Sequence, residues 1–323
     1  MSFETEFVHY ILNVLLNYIN VYIQLLYEGV YPSAKDRKEF QMSAKEKREL
    51  LIRQKNEIIQ QSGNRLTALQ QKVLFYLIGQ VDDRRDETSK IYTVSISEMC
   101  DVCGLNHQEY YSIVKSIFKQ LATPLGYIRN EQQKDRLFAW LSSEDVEIDN
   151  NRNTATFRFH KQVAPYLYEL KERYTEFQLI NGLSLKSKYS MSLYQLLKSY
   201  ERVESHKAIF EVERLKRLLG VNYLVENDRG KQEWIDIYPR FFDFEKRALK
   251  PSVNEINNVC DINCHYEIER LKRKPHKIIF DVRAKNPFED PEGVRRMKEE
   301  QNRRLNPDDT KKITASVKPK RDG

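Results

Sequence analysis

The sequence predicts a mainly helical α+β chain assembled from two tandem copies of one folding unit, and three observations carry that prediction. First, Ile96-Ser97-Glu98-Met99-Cys100-Asp101-Val102-Cys103-Gly104-Leu105 and Val212-Glu213-Arg214-Leu215-Lys216-Arg217-Leu218-Leu219-Gly220-Val221 match position for position. Both are apolar at the first, fourth, seventh, eighth and tenth places and have Gly at the ninth. Second, an alternating run precedes each copy, Tyr92 to Ser95 and Ala208 to Glu211, and a longer helical pattern follows each. Third, 323 residues with 40% hydrophobic content suit two modest cores rather than one large one.

The repeated stretch reads as a short amphipathic helix closed by the residue that most readily takes φ > 0 at a helix end, the first helix of a helix-turn-helix. After Gly104 the apolar residues Tyr110, Tyr111, Val114, Ile117, Phe118 and Leu121 recur at helical spacing until Thr123-Pro124, which predicts a recognition helix. Arg136 to Leu141 and Thr154 to His160 then alternate, joined across Asp149-Asn150-Asn151-Arg152-Asn153 as a hairpin turn. Strand, helix, turn, helix, hairpin is the winged-helix order. In the second copy, helix is expected from about Trp234 to Asn257, followed by a hairpin of Tyr266 to Leu271 and Lys277 to Val282 around Lys272 to Pro275.

The predicted organisation is an apolar segment (1–41), a charged lead-in (42–64), a first winged helix (65–161), a helical linker (162–188), a second winged helix (189–283) and a mostly disordered charged tail (284–323) with a helix near Glu292 to Arg304. Phe7 to Tyr27 lacks charge but carries Asn13, Asn17, Asn20 and Gln24 on one stripe, with His9 besides. That polarity argues against a membrane span. A packing or self-association helix, an interfacial helix and an extension read through from noncoding sequence compete, and the last is favoured because Met42-Ser43-Ala44-Lys45-Glu46-Lys47 looks like a natural start.

A net charge of +7 and a pI near 9.0 point to a polyanionic partner. Lys246, Arg247 and Lys250 cluster on the second recognition helix with Arg240 just upstream, and Phe241, Phe244, Ala248, Leu249, Ser252 and Ile256 form its inward face. Arg270, Lys272, Arg273, Lys274 and Lys277 crowd the following hairpin. The first recognition helix shows Gln108, Ser112, Lys115 and Lys119, a less basic set suited to backbone contact or dimerisation. These are the two elements a winged helix offers to double-stranded DNA. Pro251, inside the second helix, lacks an N–H and predicts a kink or break near Lys250.

Enzymatic readings find little support. The histidines His9, His107, His160, His206, His265 and His276 contain no closely spaced pair of the kind a metal-dependent nicking centre needs, and no Gly-rich phosphate loop ends in Lys-Ser or Lys-Thr. Cys100-x-x-Cys103 and Cys260-x-x-x-Cys264 could suggest zinc, but the repeat aligns Cys103 with core Leu219 and Cys100 with Lys216, taken as solvent-facing. No catalytic residue, metal or cofactor is expected, and reduced thiols suit a cytosol.

The run Phe244-Glu245-Lys246-Arg247-Ala248-Leu249-Lys250-Pro251-Ser252-Val253-Asn254-Glu255-Ile256-Asn257, the later Tyr266-Glu267 and the Lys272-Arg273-Lys274 hairpin resemble the iteron-binding initiator replication proteins of theta-replicating plasmids. Tyr189 to Leu197, Arg65 to Gln71 and Pro165 to Lys171 share the resemblance, which covers about Asn56 to Val282. It implies a tandem winged-helix protein of the bacterial cytoplasm that binds direct repeats at a plasmid origin as a monomer and helps open an AT-rich region. It also implies recruitment of the host initiator and helicase, and repression of its own gene by dimers. The family often has Arg where Ser192 stands and Ala where Ser252 stands. A dedicated transcription regulator and a helical interaction scaffold are the alternatives: the first would bind an inverted repeat, the second no particular sequence.

Overall fold

In the computed structural model, which describes residues 42–105, 110–129, 135–226 and 230–305, the segment before the first repeat is folded. Every element below lies from Ala44 onward, and the two units named below are the two winged-helix copies within that stretch of the chain. The apolar segment 1–41 lies outside the described residues, among which no helix is long and apolar enough to cross a membrane. Instead of a plain lead-in there are α1 (Ala44–Lys47), β1 (Leu51–Lys55), α2 (Asn56–Gln61) and β2 (Ser62–Asn64). The cause is non-local, since β1 pairs antiparallel with Tyr174–Gln178, Leu51 opposite Gln178.

The first unit is built around α3 (Ala68–Ile78), started by a capping box in which Thr67 and Gln70 satisfy each other's backbone amides. Val73 to Ile78 are all buried, so this helix is central rather than amphipathic. Next come β3 (Tyr92–Ser95), α4 (Ile96–Cys103) and α5 (Tyr110–Leu121). Ser95 caps α4, and Val114, Ile117, Phe118 and Leu121 of α5 are buried as the spacing requires. β4 (Gly126–Arg129) pairs with β2 on one side and β5 (Asp135–Phe138) on the other, and β7 (Thr154–Phe157) likewise lies between β3 and β6 (Glu147–Asp149). The hairpin expected between Arg136 to Leu141 and Thr154 to His160 is therefore corrected. Asp149 to Asn153 does turn the chain, but β7's partner across it is β6, and Leu141 meets Phe159 in a single bridge.

The segment 162–188 is not helical throughout. After a short 3-10 turn at Ala164–Tyr166 it forms β8 (Tyr174–Gln178), the partner of β1, and only then α6 (Leu179–Ser184). The second unit follows with α7 (Lys188–Lys198), β9 (Lys207–Glu211) and α8 (Val212–Leu218). An unexpected hairpin, β10 (Asn222–Glu226) and β11 (Gln232–Asp236), replaces the simple turn, so Trp234 lies on a strand, not in a helix. Helix runs from α9 (Phe241–Phe244) through a π turn (Glu245–Leu249) into α10 (Lys250–Val259), followed by β12 (Ile262–Leu271) and β13 (Lys274–Ala284). The sheet orders β6-β7-β3 and β12-β13-β9 are the same topology, the first strand of each unit pairing with the second strand of its wing.

The repeated helix ends are alike in detail. Gly104 and Gly220 have φ of 68° and 67°, and the amides of Leu105 and Val221 donate to the carbonyls of Cys100 and Lys216 at 2.8 and 2.9 Å. The aligned fifth position is buried in both copies, which corrects the solvent-facing reading of Lys216. Its side chain is 1% exposed, with the ammonium held 2.8 Å from Asp236 and 3.5 Å from Glu213. All four cysteines are buried, and desolvation pushes Cys100 up to about 11 and Cys103 and Cys264 up to about 12, so they stay protonated at neutral pH.

The two units meet directly. Tyr127 of β4 donates its hydroxyl to the Arg217 carbonyl at 2.8 Å and packs edge-on against Trp234, whose face Arg217 covers. The helix expected near Glu292 to Arg304 is present as α11 (Pro291–Leu305), and it is docked on the protein because Met297, Gln301 and Leu305 share one face and are buried. Gln301 donates to Asn181 and to the Val259 carbonyl, and Arg304 to the Ser184 carbonyl and to Glu255 at 2.6 Å. Arg48, at the end of α1, reaches the carbonyls of Asp101, Val102 and Leu305. α11 thus spans both units; residues 306–323 lie outside the described ones.

Burial alone would raise the Glu255 carboxyl, but the Ser190 hydroxyl, the Lys186 amide, the Arg304 guanidinium and the Ser187 amide outweigh it and hold it below its ordinary 4.5. A depressed carboxylate stabilises fully above the unfolded value, and that stabilisation is lost as pH falls through the folded one. Urea unfolding between about pH 6 and pH 3 should therefore show stability dropping with acidity for the wild type, and dropping less for Glu255→Gln. Parallel profiles would remove Glu255 from the clamp.

Candidate nucleic-acid interface

The second recognition helix presents opposite faces to core and solvent. Phe244, Ala248, Leu249, Ser252, Val253 and Ile256 are buried, and Lys246, Arg247 and Lys250 are exposed. The helix does not break at Pro251. The π turn just before it has a wider i to i+5 register, which moves the preceding carbonyls away from the proline ring and leaves its missing N–H without consequence.

Sequence reasoning looked for charge and so missed Asn254 and Asn258, which continue the exposed stripe of Arg247 and Lys250 at helical spacing. The signal was there, in the i+4 and i+7 steps. The neighbouring residues of that motif are structural. Glu255 is the partner of Arg304, Ile256 lies in the core, and Asn257 exchanges two 2.8 Å hydrogen bonds with the backbone of Cys264 on β12. At the other end of the helix the Tyr266 hydroxyl donates to Glu245 at 2.9 Å. Reading helix and wing are therefore fastened together at two points.

The wing is long. β9 pairs only with Lys277 to Asp281 of β13, so the hairpin continues past the three-stranded sheet. Its loop is shorter than expected, just Lys272 and Arg273, with φ of 49° and 68°. Two positive φ values make the mirror-image turn that matches strand twist, which Asn-Gly usually supplies. Holding two long side chains there costs of order 1–3 kcal/mol each. Arg270, Lys272, Arg273 and Lys274 are all exposed, and Arg270 donates to the Arg273 carbonyl.

Two of the sequence-selected cations are offset by carboxylates. Arg240 pairs with Asp243 at 2.7 Å, and Lys277 pairs across the hairpin with Glu269 at 3.2 Å. Lys246 lies over the Phe242 ring, 5.7 Å from its centre. In the first unit Ser112, Lys115 and Lys119 are exposed along α5, while Gln108 lies outside the described residues. The first wing is short and acidic by comparison: Asp149 accepts from the amides of Asn151 and Arg152 and pairs with the Arg152 side chain. Among the described residues no three His, Cys, Asp or Glu side chains converge as metal ligands.

Comparison with known proteins places these units. The family model described as "Initiator Replication protein, WH1" matches residues 51–198, and "Initiator Rep protein, WH2" matches 211–282, together more than half of the chain. Among solved structures, the chain is similar to the Pi initiator protein crystallised in complex with iteron DNA. The TM-score is 0.60 at 19% identity, covering 74% of this chain and 99% of that one. At that identity the likeness speaks for the fold.

Proposed function

Because this chain belongs to the initiator replication protein family, with its two winged-helix domains in tandem, we propose that it binds directly repeated origin sites on a plasmid in the cytoplasm and initiates replication there. The observation that carries this reading is the exposed face of Arg247, Lys250, Asn254 and Asn258 fastened beside a long basic wing. A recognition helix enters the major groove, where Arg suits guanine O6 and N7 and Asn suits adenine N6 and N7. The wing cations neutralise phosphates and fix register. The Pi relative, in its complex with iteron DNA, supports the same partner.

The first unit, with its sparser Ser112, Lys115 and Lys119 face and short acidic wing, takes the supporting role of backbone contact. Two such units place two helices on one face of B-DNA about 34 Å apart, which suits long direct repeats. Origin opening, recruitment of the host initiator and helicase, and repression of its own gene by dimers complete the reading. The protein acts by binding, without catalysis of its own.

Footprinting of the DNA flanking its gene at two salt concentrations tests this. Protection repeating about every two helical turns and surviving competitor DNA is the expected result. Protection of one inverted repeat would make the protein a repressor instead. Within the bound complex, alanine at Lys272, Arg273 and Lys274 together should weaken binding to every sequence and lower the salt slope by up to about three units. A fourfold rise in salt then weakens the wild type by up to about 60-fold more than the variant. Equal slopes would take the wing off the phosphates.

A further inference from the structure

We propose that Leu271, at the tip of the second wing, is a wedge that enters the minor groove beside the reading helix and bends DNA by prising apart one base step. The proposal rests on the direct-repeat reading above and assigns to the wing an action beyond phosphate neutralisation. Leu271 is 57% exposed and stands last on β12, directly against the Lys272–Arg273 turn. An apolar side chain at such a place touches no core, and its neighbours Arg270, Lys272, Arg273 and Lys274 are all cationic and exposed. A tip that is apolar at its point and basic all round fits a groove walled by phosphates better than it fits a protein surface.

The backbone is shaped for the same end. Lys272 and Arg273 both adopt positive φ, which gives the tightest two-residue tip in place of a wider loop. Just below, the register shifts between Glu269 and Arg270, leaving His276 as an extra residue on β13. Such a bulge bends and twists the strand and re-aims the side chains beyond it. The wing base is fixed to the reading helix by the Tyr266–Glu245 and Asn257–Cys264 bonds. With that helix in the major groove, the tip extends roughly 15 Å past the sheet, toward a minor groove about 6 Å wide. Leucine is among the residues that unstack base steps from that side, and pyrimidine–purine steps yield most readily.

The test uses the full chain on a duplex carrying one origin repeat, with dyes at both ends for distance and 2-aminopurine at the step facing the wing. Wild type and Leu271→Met are expected to shorten the end-to-end distance and to raise 2-aminopurine fluorescence about twofold or more on saturation. Leu271→Ala should keep the reading-helix footprint and lose both signals. An alanine complex as bent and as bright as wild type overturns the wedge, as does a wild-type complex that shows neither signal. If wild type forms no sequence-specific complex, the direct-repeat reading itself fails, an outcome told apart by the missing footprint.

Discussion

Asp236→Ala is expected to destabilise the protein by about 3–5 kcal/mol, while Lys216→Met at the other end of the same pair costs little or stabilises it. The asymmetry follows from burial. The Lys216 side chain is 1% exposed and has Asp236 at 2.8 Å, with the exposed Glu213 carboxylate, at 3.5 Å, as its further ion-pair partner among the described residues. Removing Asp236 leaves a charge in a place water does not reach, and also takes away the acceptor of the Tyr238 amide at the start of the reading helix. Removing the charge itself leaves an apolar stem, and Asp236, whose side chain is 27% exposed, keeps water and the Tyr238 amide as partners. Urea unfolding of both variants measures the difference, and a loss below about 1 kcal/mol for Asp236→Ala would mean that Lys216 behaves as a surface lysine.

Arg247→Ala is expected to flatten base preference at one position of the repeat by about 1–3 kcal/mol, roughly 5- to 150-fold, with a smaller loss on unrelated DNA. Arg247 is exposed on the reading helix between Lys246 and the π turn's end, opposite buried Ala248 and Leu249, so its loss leaves the core untouched. The measurement is binding to a set of repeats substituted one base pair at a time. Loss of discrimination confined to one or two adjacent positions is the outcome expected of a base contact. An equal loss on all sequences would move Arg247 to the backbone, and an unchanged profile would assign the reading to other residues.

What the sequence made legible was local. An amphipathic turn of helix closed by glycine is written in ten residues, and both copies end with the same amide-to-carbonyl bonds. The pairing of β1 with β8 was illegible because its two strands are separated by most of the first unit. The apolar residues around Trp234 fit either a helical or a strand period, and the partner strand Asn222–Glu226 decides between them. Lys216 was placed in solvent by its charge, its carboxylate lying twenty residues further on.

Of the candidate interface, the basic residues were legible and their partners were not. Arg240 and Lys277 are cations in composition but are offset by Asp243 and Glu269. Asn254 and Asn258 share the exposed face but carry no charge, so charge clustering does not mark them. The helical run survives Pro251 because a π turn, which no residue pattern announces, precedes it.

The clamp formed by α11 also sets an order of events during synthesis. Glu255 leaves the ribosome 49 residues ahead of Arg304, so at about 5–20 residues per second its carboxylate goes roughly 2–10 s without that partner. Val259 and Asn181 likewise wait for Gln301. A newborn chain therefore holds both winged-helix units, and the Tyr127–Arg217 contact between them, before it holds the helix that clamps them, and the clamp closes only once that helix has been made.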